Sequence, residues 1–427
     1  MIPFLCAILV LLALFGAPLF ALIGALALIG FQSSGEQLSA VAIEFYRLSE
    51  MPALIAIPLF TLAGYLLAES QAPQRLVRVT NALFGWMPGG LAIVSVCACT
   101  LFTAFTGATG VTIVALGAVL YPALMQARYG QRFSLGLLTA SGSLGLLLVP
   151  SMPLILYGVV AQQFHTTPPV SIDALFKAGA LPCLLMIVLL SAYSVWHMRG
   201  VPKAVAQATG PGELWAALKG AAWEIPLPFV ILAGIYSSRL AASEAAAATA
   251  LYVLIVTVVI RREISLRQLP RVIREAMLLV GAILIILGFS LALTNYLVDA
   301  DIPEKLFALI RDHITSRTTF LLLLNVFLMV FGMLLEGFPA IIILVPLILP
   351  VAMHYGVDPI HLGIIFLANL QLGIFLPPAG MNLFIASVRF RQPVTTVIRA
   401  SVPFFLIMLV AVLIITYFPW LSLVLVR

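Results

Sequence analysis

Residues 141–158 read SGSLGLLLVPSMPLILYG, and residues 369–386 read NLQLGIFLPPAGMNLFIA. Both stretches are apolar enough for a membrane helix, and both are interrupted twice. Gly145 is followed by Pro150 and Pro153, and Gly373 by Pro377 and Pro378. Proline inside a helix removes one backbone hydrogen bond and clashes with the preceding turn. In lipid the freed carbonyl and N–H groups must be satisfied internally, so such breaks persist only where they line a site or a cavity. Two broken helices, at 133–160 and 360–388, therefore mark a functional interior rather than two simple kinks.

Working outward, each broken helix follows a pair of apolar runs joined by a three-residue turn. Runs 87–106 and 110–125 are separated by Gly107, Ala108 and Thr109, and runs 319–335 and 339–353 by Glu336, Gly337 and Phe338. Such pairs are either ordinary hairpins that cross twice or re-entrant hairpins that turn back in mid-membrane. At an offset of 228, Pro122 falls on Pro350, Gly145 on Gly373, Leu148 on Leu376 and Pro150 on Pro378. Each half also has three apolar runs before its hairpin and one after its broken helix. With re-entrant hairpins each half crosses five times, and an odd number inverts the second half relative to the first. The sequence thus predicts an all-α membrane protein built as an inverted-repeat secondary transporter, with two re-entrant hairpins (87–125 and 319–353) and two broken helices. The repeats are expected at 1–205 and 206–427. Inverted repeats with discontinuous helices place the binding site near the midplane, at the repeat interface.

Composition agrees. Of 427 residues 63% are hydrophobic and 9% charged, against roughly 25% charged in a soluble domain. Soluble, disordered and β-barrel alternatives are excluded, and without a basic stripe so is nucleic-acid binding. Cys6, Cys97, Cys99 and Cys183 sit in apolar runs and read as small buried hydrophobes, with no disulfide framework or zinc spacing. The five histidines form no HExxH pair, and no P-loop, GxGxxG or GxSxG is present. No catalytic residues, metal centre or cofactor are expected. The N-terminal run resembles a signal peptide but lacks a positive n-region, and it reads as a retained membrane helix with an external N-terminus.

The scarce charges test the topology. Fifteen of the 22 basic residues fall in the loops this arrangement makes cytoplasmic, seven fall outside, and none is left within the bilayer. That bias has the sign of the positive-inside rule. A fully crossing first hairpin would put Arg75 and Arg78 on the opposite side from Arg128 and Arg132. Residues 262–276, REISLRQLPRVIREA, read as an amphipathic helix whose arginines anchor it at the interface.

A transporter needs groups that hold ions and solute while facing either side. Unwound carbonyls and hydroxyls suit a hard monovalent cation, and half-helix N-termini suit an anion. The first hairpin offers Thr106, Gly107, Thr109 and Gly110, and its break offers Ser141, Ser143, Gly145, Leu148 and Pro150. The second hairpin offers Glu336 and Gly337, and its break Gly373, Leu376, Pro378 and Asn382. The pseudo-symmetry predicts two related cation sites. Glu244 and Glu336 are the acids nearest the apolar interior on the outer side. Glu244 begins a helix and reads as a cap, whereas the depth of Glu336 points to function. With no core cation, an anionic solute would be held by helix ends, bound cations and the amides of Asn369, Gln371 and Asn382, with the Ser141 and Ser143 hydroxyls and Glu336 completing the substrate set.

At these residues the chain resembles a known family. GSLGLLLVPSMPLILYG, SIDALFKAGALP, SEAAAATALY, EGFPAIIILVPLILPVAMHYGVDPIHLGIIFLANLQLGIFLPPAGMNLF and the opening FGAPLFALIGALALIG are similar to the large membrane subunit of tripartite ATP-independent periplasmic (TRAP) transporters, the DctM family. The resemblance covers essentially the whole chain. It implies an elevator-type transporter in a bacterial inner membrane, coupled to Na+, that imports a carboxylate-bearing solute. It also implies two partners besides the lipid bilayer: a small four-helix membrane subunit (DctQ type) and a periplasmic solute-binding protein (DctP type). Family sodium sites carry over to Thr106, Thr109, Gly145, Leu148 and Pro150 in the first half, and to Gly337, Gly373 and Leu376 in the second. Rival readings are a stand-alone sodium-coupled dicarboxylate or citrate symporter, which needs no binding protein, and a membrane-embedded enzyme or scaffold. The breaks carry small residues and prolines rather than nucleophiles, which disfavours the last.

Overall fold

The structure is a computed structural model, and it describes residues 5, 8, 9, 11, 12, 15–84, 87, 89–164, 166–199, 211–236, 240–311, 314–335, 337–377 and 380–426. The expected first helix at 2–15, Cys6, Glu336 and Pro378 lie wholly or largely outside the described residues.

In chain order the first half holds α1 (Leu19–Ser34), α2 (Ser39–Ser49), α3 (Ala56–Glu69), α4 (Ala72–Phe84), α5 (Gly90–Thr106), α6 (Thr109–Gln126) and α7 (Gln131–Ser141). A 3₁₀ turn (Leu144–Leu147), α8 (Met152–Ala161) and α9 (Ile172–Met198) complete it. The second half holds α10 (Pro211–Gly220), α11 (Pro226–Tyr236), α12 (Ala242–Leu254) with a π turn to Ile260, α13 (Leu269–Asp299), α14 (Ile302–Arg311), α15 (Arg317–Leu334) and α16 (Gly337–His354). It closes with α17 (Pro359–Gly373), α18 (Met381–Phe390), α19 (Val394–Tyr417) and α20 (Trp420–Leu423).

Among the described residues seven helices are long and apolar enough to cross a bilayer: α6, α9, α12 with its π turn, α13, α15, α16 and α19. The chain is a multi-pass membrane protein. The pair Gln131–Leu147 and Met152–Ala161 bends by 44°, so the first expected broken helix is present. The second breaks between Gly373 and Met381.

Helix starts follow local chemistry. Ser171 Oγ accepts the Ala174 N–H at 3.1 Å to open α9, and Ser316 Oγ accepts the Thr319 N–H at 3.1 Å to open α15. Asp358 accepts from Ile360 at 2.9 Å and His361 at 3.2 Å, with Pro359 in the first turn of α17. Glu244 accepts the Ala241 N–H at 2.9 Å, the capping role expected of it.

The stretch 262–276 is not a separate interfacial helix. Residues 261–268 are a capped turn, and from Leu269 the chain runs unbroken for 31 residues as α13. Pro270 sits in the first turn, where its missing N–H costs nothing. The sequence reading also passed over four short polar or amphipathic helices, α2, α4, α10 and α14. Arg75, counted as a loop charge, lies on α4, is largely buried, and pairs with Glu224 at 2.5 Å and with Glu263. Arg261 donates to the Gly220 carbonyl at 2.6 Å beside them. Burial pushes the Glu263 carboxyl up, but hydrogen bonds from Arg75 and the Gln71 N–H and the charges of Arg75 and Arg261 outweigh it, so it lies below its ordinary value. Val79 and Ala82 of α4 pack on Ala217 and Ala221 at the end of α10.

The halves interlock. α3 packs on α12, α1 on α13, and α3 on α13. The second hairpin arm of each half lies against the post-break helix of the other: α6 on α18 and α16 on α8. Tyr121 and Phe390 are 4.8 Å apart in the first seam. The Tyr157 hydroxyl donates to the Pro359 carbonyl at 2.7 Å, tying α8 to the start of α17.

Candidate functional site

The first hairpin turns in two residues. Gly107 ends α5 at φ 64° and donates its N–H to the Thr103 carbonyl at 2.7 Å. Only glycine takes that conformation without cost, and a Cβ there would also strike the Met152 side chain. Thr103 Oγ1 lies 2.7 Å from Thr112 Oγ1 and donates to the Gly142 carbonyl at 2.9 Å, so one hydroxyl stitches both arms to the first break. Gly145 sits directly on α5: a Cβ there would overlap the Thr100 carbonyl oxygen and the Ala104 nitrogen. Gly64 of α3 approaches the tip equally closely, at 2.7 Å from its Cβ position to Thr106 Cα.

The second half repeats this arrangement. A Cβ on Gly373 would lie 2.6 Å from Gly332 Cα and 2.8 Å from the Met329 carbonyl, both on the first arm of the second hairpin. Ala104 and Gly332 are themselves 228 residues apart. The Leu376 N–H returns to the Gly373 carbonyl at 2.9 Å, and the Asn382 N–H to the Ile374 carbonyl at 3.0 Å, which holds the broken stretch in a compact turn.

A single cavity of about 760 Å³ gathers these parts. Its wall is made of Gly107 to Val111 from the first tip, Gly332 to Leu335 with Gly337 and Phe338 from the second, Leu146 and Pro153 from the first break, and Ile374 and Met381 from the second. The N-terminal turns of α6, α8, α16 and α18 all reach it. Each such terminus carries unpaired N–H groups and a partial positive charge. Among the described residues the wall holds no lysine or arginine. Thr109 Oγ1 donates to Asn382 Oδ1 at 2.8 Å, a hydrogen bond between the two halves beside the wall. It leaves Asn382 Nδ2 buried and without a partner.

Of the expected cation residues, Thr109 and Gly337 line the cavity, and Thr106 is buried at its edge. Gly145 and Gly373 lie one layer behind, against the hairpin arms, and Leu148, Pro150 and Leu376 continue the two breaks. The expected solute residues divide. The Asn382 side chain is fully buried and reaches the wall only through its hydrogen bond to Thr109, whereas those of Ser141, Ser143, Asn369 and Gln371 are fully buried with no hydrogen bond to a described wall residue. Ser143 Oγ bonds back to the Ala140 carbonyl at 3.1 Å. Ser141 Oγ has no nitrogen or oxygen partner and faces the Cys99 thiol. Asn369 Nδ2 bonds to Asn325 Oδ1 at 2.6 Å, and both amide atoms of Gln371 are unpartnered. These side chains look correct in sequence because they flank the breaks, but their helix faces turn inward.

Sequence reasoning missed α3 and α13 as cavity walls. Tyr65, Ala68 and Glu69 contribute from α3 and Leu279 from α13. Glu69 is exposed and lies near Arg271, which donates to Glu275 at 2.8 Å. Small residues at Thr61 and Gly64 were the available signal. Thr61 Oγ1 bonds to the Ile57 carbonyl at 2.6 Å and reaches the Met152 sulfur at 2.8 Å.

Comparison with known proteins places this geometry. The family model described as the tripartite ATP-independent periplasmic transporter, DctM component, matches residues 5–421. The chain is 34% identical over 404 residues to the C4-dicarboxylate TRAP transporter large permease protein DctM of Pseudomonas aeruginosa, covering 94% of this chain and 92% of that protein. It is 32% identical over 379 residues to the isethionate TRAP transporter permease protein DctMQ of Oleidesulfovibrio alaskensis, covering 88% of this chain and 58% of that longer one. In three dimensions it resembles the YdaH transporter of Alcanivorax borkumensis, with a TM-score of 0.63 over 89% of this chain and 87% of that one, at 14% identity.

Proposed function

The chain belongs to the DctM family of TRAP transporter large permease subunits, and from that premise we propose that it carries an anionic, carboxylate-bearing solute into the cell with Na+, in a bacterial inner membrane. It is a transport subunit and not an enzyme. The observation that carries the proposal is the meeting of two hairpin tips and two broken helices at one cavity, joined across the halves by Thr109 and Asn382. A hairpin that crossed completely would leave its tip at a membrane surface, so tips that meet each other support re-entrant hairpins. The crossed packing of α6 on α18 and α16 on α8 supports inverted repeats over 1–205 and 206–427.

In this reading Thr106, Thr109, Gly145, Leu148 and Pro150 hold one sodium ion, and Gly337, Gly373 and Leu376 hold another. The solute lies between the tips, against Thr109, Asn382 and the N-terminal turns of four helices; Glu336, expected from the sequence to join this set, lies outside the described residues. Glu69 on the cavity wall lies near Arg271, on the side that the charge bias makes cytoplasmic, which supports reading this arrangement as the inward-facing form of an elevator. A small four-helix membrane subunit and a periplasmic binding protein complete the transporter. The DctMQ relative, whose name joins two subunit labels in one longer chain, supports the first partner. The name of the Pseudomonas relative supports the solute class.

The test is uptake into proteoliposomes. Uptake is expected only with the small subunit, a loaded binding protein and an inward sodium gradient together. Robust uptake by this chain alone favours the stand-alone symporter, and uptake indifferent to sodium refutes the coupling.

A further inference from the structure

Behind the second break lies a buried polar cluster that the cavity does not use. Asn325, on the first arm of the second hairpin, receives two hydrogen bonds at one oxygen. Asn369 Nδ2 of α17 donates to Asn325 Oδ1 at 2.6 Å, and Thr416 Oγ1 of α19 donates to it at 3.0 Å. Asn369 Nδ2 also donates to the Ile365 carbonyl at 2.8 Å. The Thr416 carbonyl lies 3.3 Å from Nε2 of His361, whose Nδ1 lies 3.2 Å from Ser422 Oγ. All five side chains are buried. Asn325 Nδ2 and Asn369 Oδ1 are left without a partner.

Three helices packed in lipid have no need of amides there, since apolar side chains pack as well and small residues pack closer. What a buried amide pair adds is register, because sliding one helix past another leaves polar atoms unpaired at a cost. The pair sits where register matters. Asn325 precedes Gly332 by two turns on one face of α15, and Asn369 precedes Gly373 by one turn on one face of α17. Gly332 and Gly373 meet with no room for a side chain between them: a Cβ on Gly373 would lie 2.6 Å from Gly332 Cα. The first half has nothing equivalent: 228 residues earlier stand Cys97 and Ser141.

We infer that Asn325 is a positioning residue for cation binding in the second half. By accepting from Asn369 and Thr416 it fixes the first arm of the second hairpin against α17, and so sets the carbonyls of Gly373 and Leu376 toward the ion. It does not touch the ion. This deepens the proposed sodium coupling and rests on it.

The test measures sodium dependence of uptake by the full transporter in proteoliposomes. Asn325→Leu keeps the size and removes both acceptor bonds. It is expected to raise the sodium concentration for half-maximal uptake about fivefold, the effect of one net hydrogen bond, with the maximal rate within about twofold of wild type. Thr416→Val removes one donor with little change of shape and is expected to raise it about twofold. It also carries the test alone if Asn325→Leu does not fold. Unchanged half-saturation in the folded variants, or a fall in maximal rate with half-saturation unchanged, overturns the inference. Wild-type uptake that ignores sodium refutes the proposed sodium coupling itself, and this inference with it.

Discussion

Adding one methyl group at Gly145 is expected to disable the transporter, while adding one at Gly281 is not. A Cβ on Gly145 would overlap the Thr100 carbonyl oxygen and the Ala104 nitrogen, and lie 2.7 Å from Thr103 Cβ. Two of these three are backbone atoms of α5, so no rotamer change relieves the overlap. Either the 3₁₀ turn moves or α5 does. Overpacking of this kind costs about 1–3 kcal/mol. Parting the seam also stretches the 2.9 Å bond from Thr103 to the Gly142 carbonyl, worth about 1 kcal/mol. Gly145→Ala is thus expected to destabilise by about 2–4 kcal/mol. Gly281 on α13 has nothing within 4 Å of its Cβ position, and alanine is the better helix former by up to about 1 kcal/mol. Gly281→Ala should be neutral or slightly stabilising. Thermal unfolding of the purified proteins in lipid nanodiscs measures stability, and proteoliposome uptake measures function. Gly373→Ala, whose nearest atoms are two at 2.6 Å, is expected to behave like Gly145→Ala with a smaller loss. A Gly145→Ala protein that unfolds with the wild type and transports normally would refute the close packing of break on hairpin.

Two further outcomes follow from side chains on opposite sides of the chain's midpoint. Thr109→Val and Asn382→Leu remove the same 2.8 Å hydrogen bond, so the double variant should weaken uptake about as much as the worse single one, with a coupling of about 0.5–1.5 kcal/mol; strictly additive losses would show the bond to be absent in the working transporter. The depressed Glu263 carboxyl contributes stability that is present above the ordinary carboxylate value of about 4.3 and lost as pH falls through its lower folded value. Protection of the amides over 72–84, taken relative to the intrinsic exchange rate at each pH, should therefore stay high at neutral pH and fall only in acid, whereas Glu263→Gln should show lower protection at neutral pH and lack the acid step.

The breaks and hairpins were legible because their signals are local. Glycine and proline act on their own backbone, so Gly145, Pro150, Gly373 and the turn at Gly107 and Ala108 announce themselves at any depth. The expected boundaries of 133–160 and 360–388 became Gln131–Ala161 and Pro359–Phe390. Partnership was not legible. Ser141, Asn369 and Asn382 all border the breaks, yet only the Asn382 side chain bonds to a residue of the cavity wall, Thr109, because partnership depends on how α17 and α18 sit against other helices. Asn325 and Thr416 were invisible for the same reason, since a lone amide or hydroxyl in an apolar run carries no mark of its partner. Arg75 misled differently. Its charge suggested a loop, but Glu224 and Glu263, roughly 150 and 190 residues away, allow it to be buried.

The lack of a fixed cation among the described wall residues also bears on coupling. An arginine in the cavity would bind a carboxylate whether or not sodium was present, and the empty carrier could leak solute. Among the described residues the wall offers an anion helix termini, each worth about half a charge, the hydroxyls of Tyr65 and Thr109, and no positive charge to offset Glu69; the proposed ions in the breaks supply the rest. Sodium ions about 5 Å from a carboxylate in a partly screened interior would each add roughly 3 kcal/mol, or more than a hundredfold in affinity. That binding energy is reciprocal, so the solute must tighten the ions by the same factor. In the proposed reading the scarcity of charge in the core is therefore what makes cargo and ion depend on one another. Placing a lysine on the wall would strengthen solute binding and weaken the coupling.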